Sequence, residues 1–201
     1  MLEREKKIML SEQEYNILVA KNNNVPVTTQ RNYYFDTDDL MFNRKGITCR
    51  IREINGKYLS TVKNHSMHDG HVSLEENLQQ SKEFNPQLFH ALGLYEQGVL
   101  ITNRRILYKD YSCEIALDRN SYLGHTDFEI EVEYAQGCES KAIYLLNNIA
   151  EELLFWHLIK DRYEFMKRVS NGRAKSKSER FFERKNALKT EMGFNNVFGI
   201  K

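Results

Sequence analysis

The chain has little of what usually punctuates or staples a fold. Its 201 residues include two prolines, ten glycines and three cysteines. So few breakers exclude a long flexible linker or a collagen-like repeat, and the elements are expected to join compactly. Cys49, Cys113 and Cys138 are odd in number and far apart, which argues against a disulfide frame and predicts reduced thiols. Cys49 and Cys113 occupy apolar positions of alternating segments, so packing accounts for them. No apolar run approaches the ~20 residues that a membrane-spanning helix needs. The opening residues are too charged for a secretory signal, so the expected setting is the cytoplasm. No charge of one sign dominates either: 29 Lys+Arg against 28 Asp+Glu leave +1. That balance argues against a dedicated nucleic-acid binder. There is no Walker-type or dinucleotide glycine loop and no repeat of solenoid period.

What is present is a globular composition, 41% hydrophobic and 28% charged, long enough for one domain with a sizeable core. Several stretches alternate with the period of two that marks a strand. In 47–53, Ile47, Cys49 and Ile51 oppose Thr48, Arg50 and Arg52. In 58–63, Tyr58 and Val62 oppose Thr61 and Lys63. In 111–118, Tyr111, Cys113, Ile115 and Leu117 oppose Glu114, Ala116 and Asp118. In 128–134, Phe128, Ile130, Val132 and Tyr134 oppose Glu129, Glu131 and Glu133. Segments near 33–35, 71–78 and 99–108 are also expected to be strands. Helices fill the gaps. Ser11 with Glu14 is a capping-box pattern. Asn85-Pro86 opens a short helix that Gly93 stops. Apolar residues from Ile143 to Leu154 recur at helical spacing, and a last helix is expected near 178–188. Many antiparallel strands with a few helices predict an α+β fold, possible as a closed barrel.

An ordinary half-wet sheet would alternate in the same way. The sorting of sign by strand is what goes beyond it. Arg50, Arg52 and Lys63 share the polar faces of neighbouring strands. Glu129, Glu131 and Glu133 line one side of a single strand in steps of about 6.6–6.8 Å, with Asp118 and Glu114 on the strand before. Glu3, Glu5 and Lys7 alternate at the start of the chain. Glu75 has the opposite parity to Val72 and Leu74. Like charges this close need counter-charge. If these faces point into a barrel, its interior must be wet, because unpaired buried charge is very costly. A hard cation on the carboxylates and an anionic phosphate on the Arg and Lys groups would satisfy both signs. Other candidates read more plainly. His65, His68 and His71 lie in a turn-like stretch around Asp69-Gly70, a solvated turn rather than a metal site. The stripe ending at Trp156 fits a helix packed on the exterior. Taken alone, the basic cluster after Arg173 reads as a nucleic-acid patch.

At this point the residues resemble the CYTH superfamily, the triphosphate tunnel metalloenzymes. Glu3-Arg-Glu-Lys-Lys7 is similar to its Glu-x-Glu-x-Lys signature. Tyr34-Phe-Asp-Thr37, Gly46-Ile-Thr-Cys-Arg-Ile-Arg52, Thr61-Val-Lys63, Ile115-Ala-Leu-Asp118, Glu129-Ile-Glu-Val-Glu133 and Lys175-Ser-Lys-Ser-Glu-Arg180 follow in the family's order. The resemblance covers residues 1–184 and leaves 185–201 as an extension, helical and then a tail. It implies an eight-stranded antiparallel β-barrel with helices packed outside. By matching positions, Glu3, Glu5, Asp118, Glu129 and Glu131 would hold Mg²⁺ or Mn²⁺, joined on the lumen face by Glu75 and Glu133. Lys7, Arg50, Arg52, Lys63, Arg105, Lys175 and Lys177 would hold phosphates. Arg104 is the alternative to Arg105, which the alignment of the following Ile-Leu-Tyr favours. Lys7 or Lys63 would help activate water. Ser73 and Asn103 depart from the pattern, standing where a carboxylate and a lysine are common.

The activity this implies is metal-dependent hydrolysis of a small-molecule triphosphate, inorganic tripolyphosphate first. An RNA 5′-triphosphate end is the one nucleic-acid partner that would fit, and the protein would be a monomer or homodimer. A class IV-like adenylyl cyclase and a non-catalytic nucleotide- or polyphosphate-binding module are the rival readings.

Overall fold

A computed structural model describes residues 2–65, 72–170 and 174–198, leaving aside the side chains of 2, 3, 72, 169, 170 and 192–198. The described residues form eight strands and six helices. The strands are β1 (Leu2–Leu10), β2 (Thr28–Asp36), β3 (Ile47–Ile54), β4 (Lys57–Asn64), β5 (Val72–Ser81), β6 (Tyr95–Lys109), β7 (Cys113–Tyr122) and β8 (His125–Tyr134). The helices are α1 (Glu12–Lys21), α2 (Met41–Arg44), α3 (Gln87–His90), α4 (Glu139–Phe155), α5 (Arg162–Ser170) and α6 (Lys177–Phe198). Every strand pair is antiparallel, and the ring order is β1-β5-β4-β3-β2-β6-β7-β8. The sheet thus curls round on itself into a tunnel. Along the β1–β5 seam, the described pairs run from Leu2↔Leu74 to Arg4↔Val72.

The period of two decides where the apolar residues go. Ile8, Ile115, Leu117, Ile130 and Val132 face outward and pack under Leu146, Ala150 and Leu153 of α4 and Phe165 of α5. On the far side, Phe35, Cys49 and Ile51 pack under Phe89 and Leu94. Fully burying such a side chain stabilises the fold by about 1.5–3 kcal/mol. Cys49 is a packing residue here, and burial pushes its thiol up to about 12. Asp36 is equally buried and latches a loop: its carboxylate accepts the backbone N–H groups of Thr37, Phe42 and Asn43 at 2.7, 3.0 and 2.8 Å.

A third apolar group lies inside the barrel at one end. Phe181 and Phe182 of α6 enter among Tyr34, Leu100 and Tyr122. Gly98 makes this possible, since a Cβ there would lie 2.9 Å from the Phe181 ring and its φ is +137°. Ser176 caps α6: its hydroxyl accepts from Glu179 N–H at 3.2 Å, and the Glu179 carboxylate accepts from Ser176 N–H at 2.6 Å. The first turn of α6 therefore points its side chains into the lumen. The helix runs unbroken through 184/185, so the expected extension continues the plugging element.

Candidate active site

The polar faces meet in the lumen. Arg50 and Arg52 come from β3 and Lys63 from β4; Asp118 comes from β7 and Glu129, Glu131 and Glu133 from β8. In the ring, β3 and β4 stand diametrically across from β8 and β7. One wall is cationic and the opposite wall acidic. The cavity between them has a volume of about 50 Å³, lined by side chains that include Glu5, Lys7, Arg52, Arg104, Glu133 and Lys177. That is room for a few waters, and the polar lining makes it a wet site rather than a dry core.

On the acidic wall, Asp118, Glu129 and Glu131 each present a carboxylate oxygen within 4.8 Å of the others, and all three are buried. Lys177 reaches in from α6 and pairs with Asp118 at 2.9 Å, with Glu131 at 2.5 Å and with Glu129. Arg104 donates to both Asp118 oxygens at 2.8 and 2.6 Å and to Glu131 at 3.2 Å. Burial would raise the Glu129 carboxyl, but Lys177, Lys7 and Arg180 outweigh it and hold it at about 2. Glu131 is depressed in the same way, burial being overcome by Lys177, Lys7 and Arg104. The Arg104 and Lys177 cations are correspondingly raised, their own burial overcome by these carboxylates.

On the cationic wall, Arg50 donates to both oxygens of Glu75 at 2.9 and 3.0 Å and to Thr61 at 3.0 Å. Arg52 differs. It donates to Asn32 at 2.9 Å, and among the described residues no ion pair forms on it. Burial, followed by the neighbouring charges of Arg50 and Arg104, lowers its guanidinium to about 10. Lys7 stands between the walls, 3.3 Å from Glu5 and 3.8 Å from Glu131. Burial would lower its ammonium, but Glu5, Glu131 and Glu129 raise it, so Lys7 is a fixed cation at neutral pH. Lys63 lies 3.8 Å from Glu5.

Most of the expected residues therefore converge, and several are redistributed. Glu75 is a counter-ion on the cationic wall, apart from the Asp118–Glu129–Glu131 group. Glu5 and Glu133 line the cavity without joining that group. The Glu3 side chain lies outside the described residues, and its backbone pairs with Ser73. His68 and His71 lie outside them too; His65 lines the cavity beside Thr48. Lys175 is exposed and pairs with Glu183 at 2.7 Å, away from the lumen.

Arg105 needs correction: it lies outside the barrel, 3.3 Å from the Tyr15 hydroxyl, and Arg104 takes the lumen position. A bulge between Ile106 and Tyr108 inserts one residue into β6. Parity counted back from Tyr108 across that bulge is inverted. Asn103 is likewise outside, accepting from Thr29 at 3.0 Å. Arg180 was not singled out beforehand. It donates to Asp127 and Glu129, and its spacing of three from Lys177 on a helix was the available signal.

The donor set of Asp118, Glu129 and Glu131 fits a hard divalent cation. It is all oxygen, buried and convergent, and the Lys177 ammonium that now meets all three carboxylates already marks the group as a cation seat. Among those residues no helix is long and apolar enough to cross a membrane.

Comparison with known proteins agrees with this architecture. YjbK of Bacillus subtilis, a candidate triphosphatase by name, is 33% identical over 162 residues, 71% of this chain and 83% of the relative. A candidate adenylate cyclase from Bacillus halodurans superimposes with a TM-score of 0.61 at 24% identity, covering 90% of this chain and 97% of that one. HpAC1 from Hippeastrum, described as a candidate adenylyl cyclase with a dominant triphosphatase activity, superimposes at 0.57 with 20% identity, over 75% and 87% of the two chains. The CYTH domain model matches residues 1–159, and the chain belongs to that family.

Proposed function

We propose that this protein is a divalent-metal-dependent hydrolase of triphosphate compounds, with inorganic tripolyphosphate as the first substrate. The observation that carries the reading is the lumen's opposed walls: Arg50, Arg52 and Lys63 line the cavity on strands across from those of Asp118, Glu129 and Glu131, of which Glu131 reaches the cavity itself. A polyphosphate and a metal each find the opposite sign there. The candidate-triphosphatase name of the Bacillus subtilis relative and the dominant activity described for HpAC1 support the same chemistry.

Asp118, Glu129 and Glu131 would hold Mg²⁺ or Mn²⁺. Bound there, such an ion supplies charge neutralisation and polarises a phosphoryl oxygen. The chain's own residues do the rest. Arg52, which has no carboxylate partner among the described residues, receives phosphate oxygens with its planar fork. Arg50 and Lys63 flank it. Lys7, a fixed cation, orients water and phosphate oxygens rather than removing a proton. Water oxygen bonds to the terminal phosphorus and the bridging P–O bond breaks. The bridging electron pair stays with the diphosphate product, and the water's proton passes to the released phosphate. The loose transition state of phosphoryl transfer asks little of a base. Preorganised charge supplies the catalysis.

Phosphate release from tripolyphosphate with Mg²⁺ or Mn²⁺ tests the proposal. Wild type is expected to turn over and Glu131→Gln to lose most of that rate. Equal rates remove the acidic wall from the mechanism. Cyclic AMP from ATP in place of released phosphate would replace hydrolysis by cyclisation.

A further inference from the structure

We propose that Arg180 is a positioning residue that fixes the Glu129 carboxylate for the metal, and that Asp127 and Tyr122 are its anchor. This rests on the metal-dependent reading above. Arg180 is 11% exposed on its side chain and Glu129 is fully buried. The Arg180 guanidinium donates from Nη2 to Glu129 Oε2 at 2.8 Å. Its other contacts hold the fork in place. Nε donates to Asp127 Oδ2 at 2.8 Å and Nη2 to Asp127 Oδ1 at 3.3 Å. Asp127 is held in turn: Tyr122 donates its hydroxyl to Oδ2 at 2.7 Å, and Asn120 donates to Oδ1 at 3.0 Å. Thr102 donates to Asn120 at 2.7 Å, which extends the chain of bonds from β8 through β7 to β6.

The consequence lies at Glu129. With Oε2 taken by Arg180, Oε1 is the oxygen left to face Asp118 and Glu131, and the Lys177 ammonium is what it meets there. Arg180 thus sets the carboxylate's rotation and presents a single oxygen to the group. Residues behind a metal ligand are worth about 10–100-fold in metal affinity where they orient it.

Charge must be held constant in the test, because deleting a cation beside the carboxylates would itself favour a metal ion. Arg180→Lys keeps the charge and loses the fork that spans two carboxylates. Tyr122→Phe keeps the charge and the ring packing and loses the hydroxyl donor to Asp127. Mn²⁺ binding to the full chain is measured by calorimetry and by Mn²⁺ paramagnetic resonance, with no triphosphate present. Arg180→Lys is expected to bind Mn²⁺ about tenfold more weakly than wild type, and Tyr122→Phe to shift in the same direction by less. Raising Mn²⁺ should restore kcat on tripolyphosphate in both, which a loss of folding would not allow. Wild-type affinity for Mn²⁺ in both variants overturns the positioning role alone. Absence of Mn²⁺ binding by wild type overturns it together with the metal reading beneath it.

Discussion

Two neighbouring arginines on β6 test how far the site follows backbone parity. Arg104 grips Asp118 and Glu131 in the lumen, and Arg105 touches Tyr15 on the outside. Arg104→Met is expected to lower kcat for phosphate release by about 10²–10³, the usual cost of removing one preorganised charge. Arg105→Met should stay within a few-fold of wild type by the same assay. Arg52 gives a sharper contrast, because function and stability pull apart there. Its charge is buried beside Arg50 and Arg104 with no ion pair among the described residues, and Glu75 offsets this only in part, so Arg52→Met should leave the thermal midpoint unchanged or raise it. Its KM for tripolyphosphate should rise roughly ten- to hundredfold, the worth of a charge-assisted hydrogen bond of about 1.5–3 kcal/mol. A lower midpoint with unchanged KM would make Arg52 structural. At this scale the sequence was legible wherever strands are regular. Alternation placed Arg50, Arg52, Lys63, Glu75, Asp118, Glu129 and Glu131 on the lumen side. Arg105 was preferred to Arg104 from the alignment of the following Ile-Leu-Tyr, and the one-residue bulge between Ile106 and Tyr108 puts that segment out of step with the arginines. Alternation could not separate Lys175 from Lys177, since the turn that starts α6 decides which one enters.

Among elements, α6 joins packing to chemistry. Its first turn brings Lys177 and Arg180 to the acidic wall, and its second brings Phe181 and Phe182 into the barrel end. The seat for Phe181 is cut by Gly98. Gly98→Ala would meet the ring and force a non-glycine residue to a left-handed φ, so it should lower the thermal midpoint and, by displacing α6, the phosphate-release rate with it. Phe181→Ala removes the ring instead and should cost about 3–5 kcal/mol in chemical denaturation. A Gly98→Ala variant with a lowered midpoint and full activity would show that Lys177 reaches the wall independently of this seat. The helices legible in the sequence were those with capping or periodic signals. The box of Ser11 and Glu14 opens α1 as expected. Of the others, α5 was not anticipated, although its signal stands in the chain. Asp161 accepts from Glu164 N–H at 2.7 Å, and Glu164 accepts from Lys160 N–H at 2.9 Å. The boundary at 184/185 was drawn from where the resemblance faded, and a helix has no reason to stop there.

For the whole molecule, the inverted arrangement has a consequence for acid stability. The apolar residues lie mainly outside the sheet, under the helices, and the barrel interior carries the charge. That much was legible from sign sorted by strand, because a two-signed polar face cannot be left dry or unpaired. The acidic wall holds its charge through Lys177, Lys7, Arg104 and Arg180. Glu129 is held at about 2 against an ordinary 4.5, and Glu131 is depressed likewise. A carboxylate depressed in the folded state contributes stability that is fully present above its unfolded value and is lost as pH falls through its folded value. Stability should therefore decline as pH drops from 4.5 toward about 2. Lys177→Met tests the cause. Without the ammonium, the largest charge opposing burial at Glu129 is gone, so its carboxyl rises and protonates earlier on acidification. Circular dichroism across an acid titration is expected to show unfolding at a higher pH in the variant than in wild type. Coincident curves would mean that the acid limit is set elsewhere, in the outer salt bridges such as Lys6–Glu139 rather than in the tunnel.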